Sequence, residues 1–143
     1  MRAYARTSLE GALALDATLT EARFVLGLCQ RDLGDLAAAR RTLERAVADA
    51  PASPGPREAL AEVYAGLGEH QRTIDQLEAL ATLDPGRPER LVAVGQALAT
   101  SGRDSQAIVV LGRAAGRLPD YPLAYAALGR VWLAPPEGPG VPG

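Results

Sequence analysis

The sequence predicts an all-α fold, an α-solenoid of antiparallel helix pairs, and three observations support this prediction. Ala and Leu are the commonest residues, aromatic residues make up 4%, and β-branched runs are nearly absent, a composition typical of helices. The sequence also matches itself at a fixed period, which brings Gly34 onto Gly68 and Gly68 onto Gly102. Each period has a Gly near its middle and a Pro near its end, and both residue types interrupt helices.

The fixed period is the strongest of these signals because several positions repeat together without any insertion. A match at one position can arise by chance, whereas five matched positions over three periods indicate a true repeat. The repeated positions are Gly34, Gly68 and Gly102; Pro51, Pro85 and Pro119; Leu43, Leu77 and Leu111; Leu26, Leu60, Val94 and Leu128; and Gly27, Ala61, Gly95 and Gly129.

Each period is predicted to form two helices. The first ends at the middle Gly, which can adopt the left-handed conformation found at helix C-termini. The second carries small residues and Leu at spacings of four and three, as at Ala39, Leu43 and Ala46, which places them on one face. Because Gly27 and Gly95 lack bulk, we expect the two helices of a repeat to approach closely there, with no space for a side chain.

This pattern resembles the tetratricopeptide repeat, a helix–turn–helix unit of about 34 residues. The resemblance covers residues 1–134 and implies a right-handed superhelix. In residues 1–19, Ala5, Leu9 and Ala12 occupy the positions of a second helix. The chain is thereby divided into a half repeat at 1–19, full repeats at 20–53, 54–87 and 88–121, a half repeat at 122–134, and a Pro- and Gly-rich tail or linker at 135–143.

The composition and motifs argue against several classes of function. A net charge of −2 gives no global field that would attract nucleic acid. The one Cys and one His predict no metal site; we expect Cys29 to be a small buried hydrophobe and His70 an exposed turn residue. No cofactor fingerprint stands between a strand and a helix, and no apolar run is long enough to insert into a membrane. We therefore expect a cytoplasmic, non-enzymatic protein without a cofactor.

The resemblance implies that the first helices of the repeats line a concave groove that binds a peptide or a partner helix. The expected partner is apolar with basic flanks, because the groove combines apolar positions with carboxylates. Ala65 and Ala99 occupy the corresponding positions at the ends of two first helices. The predicted groove residues are Glu21, Phe24, Leu28, Arg31, Glu58, Glu62, Glu89, Val92, Gln96 and Arg130. Family members that clamp a peptide carboxylate use Lys and Asn on these helices, and this chain contains neither residue.

The two incomplete repeats leave two other functions open. One alternative is a structural subunit that docks or self-associates through its end helices. The predicted end-docking surface consists of Tyr125, Leu128, Val131 and Trp132. Such an exposed apolar patch commonly marks a contact site. The other alternative is the recognition arm of a larger enzyme.

Overall fold

A computed structural model of the protein describes residues 8–117 and 122–133, with side chains described for 18–117 and 125–132. The helices are α1 (Ser8–Asp32), α2 (Leu36–Asp49), α3 (Pro54–Gly66), α4 (His70–Leu83), α5 (Glu89–Thr100), α6 (Asp104–Arg117) and α7 (Pro122–Leu133). The prediction of an all-α fold built from helix pairs is confirmed. The predicted tail at 135–143 lies outside the described residues.

The turns between the two helices of each repeat share one backbone geometry. Gly34, Gly68 and Gly102 have φ angles of 85°, 77° and 83°, so the predicted left-handed conformation is confirmed at all three. The residue after each Gly donates its backbone N–H to a carbonyl near the end of the first helix, as in the 2.9 Å bond from Asp35 to Gln30. Asp35 also caps α2, because its carboxylate accepts the N–H of Ala38 at 3.3 Å. The turn therefore ends one helix and starts the next.

The chain forms two compact units, Met1–Gln76 and Leu77–Gly143, and α4 spans the boundary between them. In the first unit, α1 packs against α2, α2 packs against α3, and α1 also reaches α3. Its core is a cluster of buried residues, with Phe24, Leu28, Leu36 and Val47 partly buried against it. The buried members are Ala39, Leu43, Ala59, Leu60, Val63 and Tyr64.

The second unit repeats this arrangement, with α6 packed against both α5 and α7 and with α5 in contact with α7. Its core residues on α6 occupy the same repeat positions as those on α2. Leu111 and Ala114 are fully buried, as are Leu43 and Ala46 in the first unit. The predicted spacing of small residues and Leu thus gives the same buried face in both units.

The predicted close approach at the small residues is confirmed. A Cβ atom on Gly27 would lie 2.5 Å from Cδ2 of Leu43, and one on Gly95 would lie 2.5 Å from Cδ2 of Leu111. Real Cβ atoms do not come this close to another carbon, so neither position has space for a side chain. The Leu of the second helix fills the space that each Gly leaves.

The structure departs from the repeat pattern in α1. This helix has 25 residues and continues through positions 19 and 20, where the half repeat was expected to give way to the first full repeat. The physical reason is visible in the sequence, because the position one repeat period before Pro51 is Ala17. Ala favours helix, whereas Pro would have interrupted it. Residues 8–32 therefore form one rod instead of two helices.

Candidate functional site

In the first unit, the predicted groove residues of repeats 1 and 2 lie on α1 and α3, which contact each other. Glu21 is exposed. Phe24 and Leu28 are both half-buried, and both pack against the core cluster. The ring of Phe24 lies against the backbone of Gly55 at the start of α3. The apolar part of this surface is therefore shallow, because much of each apolar side chain is engaged in the core.

An ion pair connects α1 and α3 on this surface. Nη1 of Arg31 lies 3.2 Å from Oε2 of Glu62, and Nη2 lies 3.1 Å from Oδ1 of Asp32. Glu58 lies one helical turn before Glu62 on α3. The predicted shared face of these two glutamates is thus confirmed. The ion pair with Arg31 offsets part of the negative charge of Glu62.

In the second unit, Gln96 and Arg130 are exposed and Glu89 is half-buried. Val92 is only 2% exposed. The expectation that Val92 contributes to an exposed apolar floor is therefore wrong, because the side chain is part of the interior. That Glu89 shares one wall with Glu58 and Glu62 stays a prediction.

A polar cluster joins the second helix of repeat 1 to repeat 2 within the first unit. The Tyr64 hydroxyl donates to the carboxylate of Glu44, and the Arg72 guanidinium lies 5.9 Å from the centre of the Tyr64 ring. Nη1 of Arg72 also lies 3.8 Å from Oε2 of Glu44. Burial, followed by the hydrogen bond and the negative charge of Glu44, raises the pKa of Tyr64 to about 12. This cluster links neighbouring repeats.

Two of the four residues of the predicted end surface on α7 are exposed. Tyr125 is 48% exposed and Trp132 is 66% exposed, whereas Leu128 and Val131 are half-buried. The Tyr125 hydroxyl donates to the carbonyl of Ala115 at 3.5 Å, which ties one end of the surface to α6. An added Cβ on Gly129, in contrast to Gly27 and Gly95, would meet none of the described residues within 4 Å.

Two features escaped the sequence reasoning. Cys29 is exposed, so the expectation of a buried thiol is wrong; its helix face has no partner in the described part of the chain. A shallow cleft of about 410 Å³ also lies in the second unit beside Val109, which is 61% exposed. Its lining consists of Glu78, Leu98, Ser105, Gln106, Val109 and Val110. His70 is exposed, which agrees with its prediction.

Among the described residues, no group of His, Cys, Asp or Glu has the arrangement of a metal site. Within the same residues, no helix has both the length and the apolar character needed to cross a membrane.

Comparisons with known proteins agree with this geometry. Residues 21–53 match the sequence model of a tetratricopeptide repeat family. A search of curated proteins gives no match. A large set of solved structures shares the fold. Residues 21–53 thus have the sequence of a tetratricopeptide repeat, and the described helices repeat the same helix-pair geometry.

Three solved structures illustrate the likeness. MamA MSR-1 C2 is 24% identical with a TM-score of 0.66, over 79% of this chain and 65% of that one. YrrB, described as a TPR protein with an unusual peptide-binding site, is 24% identical with a TM-score of 0.65; the match covers 76% of this chain and 56% of YrrB. A mutant O-GlcNAc transferase of Thermobaculum terrenum is 25% identical with a TM-score of 0.61; the match covers 81% of this chain and 22% of the transferase. The chain thus spans less than two thirds of each of these structures.

Proposed function

We propose that this protein is an interaction module that binds a peptide or a partner helix along the first helices of its repeats. The observation that carries the proposal is the surface of α1 and α3, where Arg31 pairs with Glu62 across the two helices. Glu58 is exposed one helical turn before Glu62, and Leu28 on α1 is half-buried. The peptide-binding site of YrrB, a structure of the same fold, supports this assignment. We also propose that the repeats act by binding and not by catalysis; a cytoplasmic location stays a prediction.

The proposed partner is an apolar segment with Arg or Lys flanks. Leu28 offers a partly exposed apolar contact, and the two glutamates offer charge to a basic flank. Exposed ion pairs contribute only about 0–1 kcal/mol each, so most affinity must come from apolar anchors. The carboxylates should act mainly on selectivity and association rate.

The test uses two designed peptides, one with Leu anchors and Arg flanks and one with Glu in place of each Arg. We expect the Arg peptide to bind more tightly by about tenfold at low salt, with the difference shrinking as salt rises. Changing Glu58 and Glu62 together to Gln should remove most of this selectivity. The matched control is Glu78→Gln, a glutamate on the second helix of repeat 2.

Fluorescence anisotropy of the labelled peptides measures these affinities. The proposal fails if both peptides bind equally, or if Glu78→Gln lowers selectivity as much as the Glu58 and Glu62 double change. Loss of binding on Leu28→Ala, with helical circular dichroism unchanged, would assign the apolar anchor to this surface.

A second candidate function is docking of another subunit against the end of α7. Trp132 is 66% exposed, and no described residue lies within 4 Å of a Cβ added on Gly129. Both observations favour this function, because a further helix could pack there as α6 packs against α5. The recognition arm of a larger enzyme stays a further alternative, since the chain corresponds to 22% of the O-GlcNAc transferase. The gene sequence on both sides of this chain would decide that question.

A further inference from the structure

The cleft beside Val109 is lined by residues of the second unit that all have counterparts one repeat period earlier, in the first unit. Three of those counterparts form the polar cluster of Tyr64, Glu44 and Arg72. The same surface position is therefore filled in the first unit and open in the second. The full set of counterparts is Glu44, Tyr64, Gln71, Arg72, Asp75 and Gln76.

In the first unit, side chains of the chain itself occupy this position. The ring of Tyr64 is buried, and its hydroxyl donates to the carboxylate of Glu44. The side chain of Arg72 lies over the ring and is 57% exposed, so the ring is the main occupant. At the rim, the amide of Gln71 donates to Asp75 at 2.8 Å. A phenol ring with a carboxylate acceptor thus closes the surface, and its rim is polar.

Two replacements open the same position in the second unit. Leu98 stands where the first unit has Tyr64; it is buried and forms the floor of the cleft. Gln106 is exposed and stands where the first unit has Arg72. The ring, its hydroxyl group and the guanidinium are all missing, and a space of about 410 Å³ remains. Sites for small ligands commonly have volumes of roughly 300–1,000 Å³.

The other lining residues indicate which group the cleft accepts. Glu78 occupies the position of Glu44 and is exposed, so the acceptor for a hydroxyl group is retained. Val109 and Val110 replace the polar rim of the first unit with an apolar wall, and Val109 is 61% exposed. A tyrosine side chain suits both features, because its ring gains free energy from apolar burial and its hydroxyl needs a hydrogen-bond partner.

We propose that this cleft is a second binding site, which takes a tyrosine side chain presented by a partner protein. The ring packs against Leu98 and Val109, and its hydroxyl donates to Glu78 as the Tyr64 hydroxyl donates to Glu44 in the first unit. The site uses residues of the second unit alone. It therefore does not depend on the binding proposed for the surface of α1 and α3.

The first test titrates the full chain with N-acetyltyrosine amide and follows the backbone amides by two-dimensional NMR. The phenylalanine and leucine amides are the comparison ligands. We expect a Kd on the order of 1 mM for the tyrosine amide, with the largest shifts at Gln106, Val109 and Val110. The phenylalanine amide should bind about threefold more weakly because it lacks the hydrogen bond to a carboxylate. The leucine amide should bind most weakly.

The second test separates the hydrogen bond from the packing of the ring. Glu78→Gln should lower the affinity for the tyrosine amide about threefold and leave the affinity for the phenylalanine amide unchanged, because only tyrosine has the hydroxyl group. Asp75→Asn is the matched control. It removes an exposed carboxylate from the same helix outside the cleft, and it should change neither affinity.

The third test closes the cleft with the residues of the first unit. Leu98→Tyr combined with Gln106→Arg should abolish binding of both aromatic amides, with the fold checked by circular dichroism. Val109→Asp gives a decision even if that double variant does not fold, because the position is 61% exposed. It should weaken binding of both aromatic amides about fivefold by replacing the apolar wall with a charge.

Four results would overturn the proposal. The first is the lack of any shift at the cleft residues with about 20 mM tyrosine amide, well above the expected Kd. The second is equal affinity for the tyrosine and leucine amides. The third is an Asp75→Asn variant that loses as much affinity as Glu78→Gln. The fourth is a set of shifts centred on α1 and α3, which would assign the ring to the groove surface.

Discussion

Gly95 and Gly129 occupy the same position in successive repeats, but their surroundings differ. A Cβ on Gly95 would collide with Leu111, whereas one on Gly129 would have no described residue within 4 Å. Both positions carry a glycine, but only Gly95 packs against the second helix of its own repeat, so a substitution there has a larger effect on the free energy of unfolding. We call the contact between Gly95 and Leu111 a closed seam and the uncovered position of Gly129 an open seam.

The largest effect should follow from removing the side chain that closes a seam. Leu111 is fully buried, so Leu111→Ala should lower the free energy of unfolding by about 2–5 kcal/mol through lost burial and the cavity left behind. Trp132→Ala is the comparison on the open end and should change stability by about 0.5 kcal/mol or less, because the ring is largely exposed. Urea unfolding followed by circular dichroism measures both. Equal losses would contradict the distinction.

A smaller effect should separate the two glycines by its sign. Gly95→Ala should destabilise the protein by about 1–3 kcal/mol because the new methyl group forces Leu111 to move. Gly129→Ala should stabilise it by about 0.5–1 kcal/mol, because Ala is the better residue inside a helix and the space is open. Thermal melts of the two variants under identical conditions test this. A stabilising Gly95→Ala would mean that the seam is not closed.

The smallest effect concerns Tyr64, which links the first two repeats through its hydrogen bond to Glu44. It changes the free energy of unfolding only at alkaline pH. The pKa of Tyr64 is raised from 10.0 to about 12 in the folded protein, mainly by burial. Its contribution to stability is therefore complete below pH 10 and is lost as the pH rises through about 12. Tyr64→Phe should lose less stability than the parent between those limits. Urea unfolding at several alkaline pH values measures the difference, and parallel curves would argue against it.

Much of the fold could be predicted because the repeat is local. The three positive-φ glycines, the buried faces of α2 and α6, and the contacts of Gly27 and Gly95 all follow from residues within one repeat period. The continuous α1 could also have been found, since Ala17 stands where later repeats have Pro. The resemblance imposed a boundary there that the local chemistry does not.

The surface was harder to predict because it depends on distances between different repeats. Arg31 was assigned to a groove, but its ion pair with Glu62 requires α1 and α3 to be placed side by side. The burial of Val92 and the exposure of Cys29 depend on which neighbouring helix is present, and a period in the sequence gives no such information. Equivalent positions recur in every repeat, but the helices packed against them differ from one repeat to the next.

The turn glycines have a practical consequence for engineering. Gly34, Gly68 and Gly102 are exposed, and a Cβ on any of them would lie more than 4 Å from every other residue that the structure describes, so the three turns differ little from one another. A reporter peptide or a fluorophore-bearing loop could be spliced next to Gly68 without touching either helix face. Placing the same insert at Gly34 and at Gly102 would give a matched set of labels, one in each repeat, for following distances along the array.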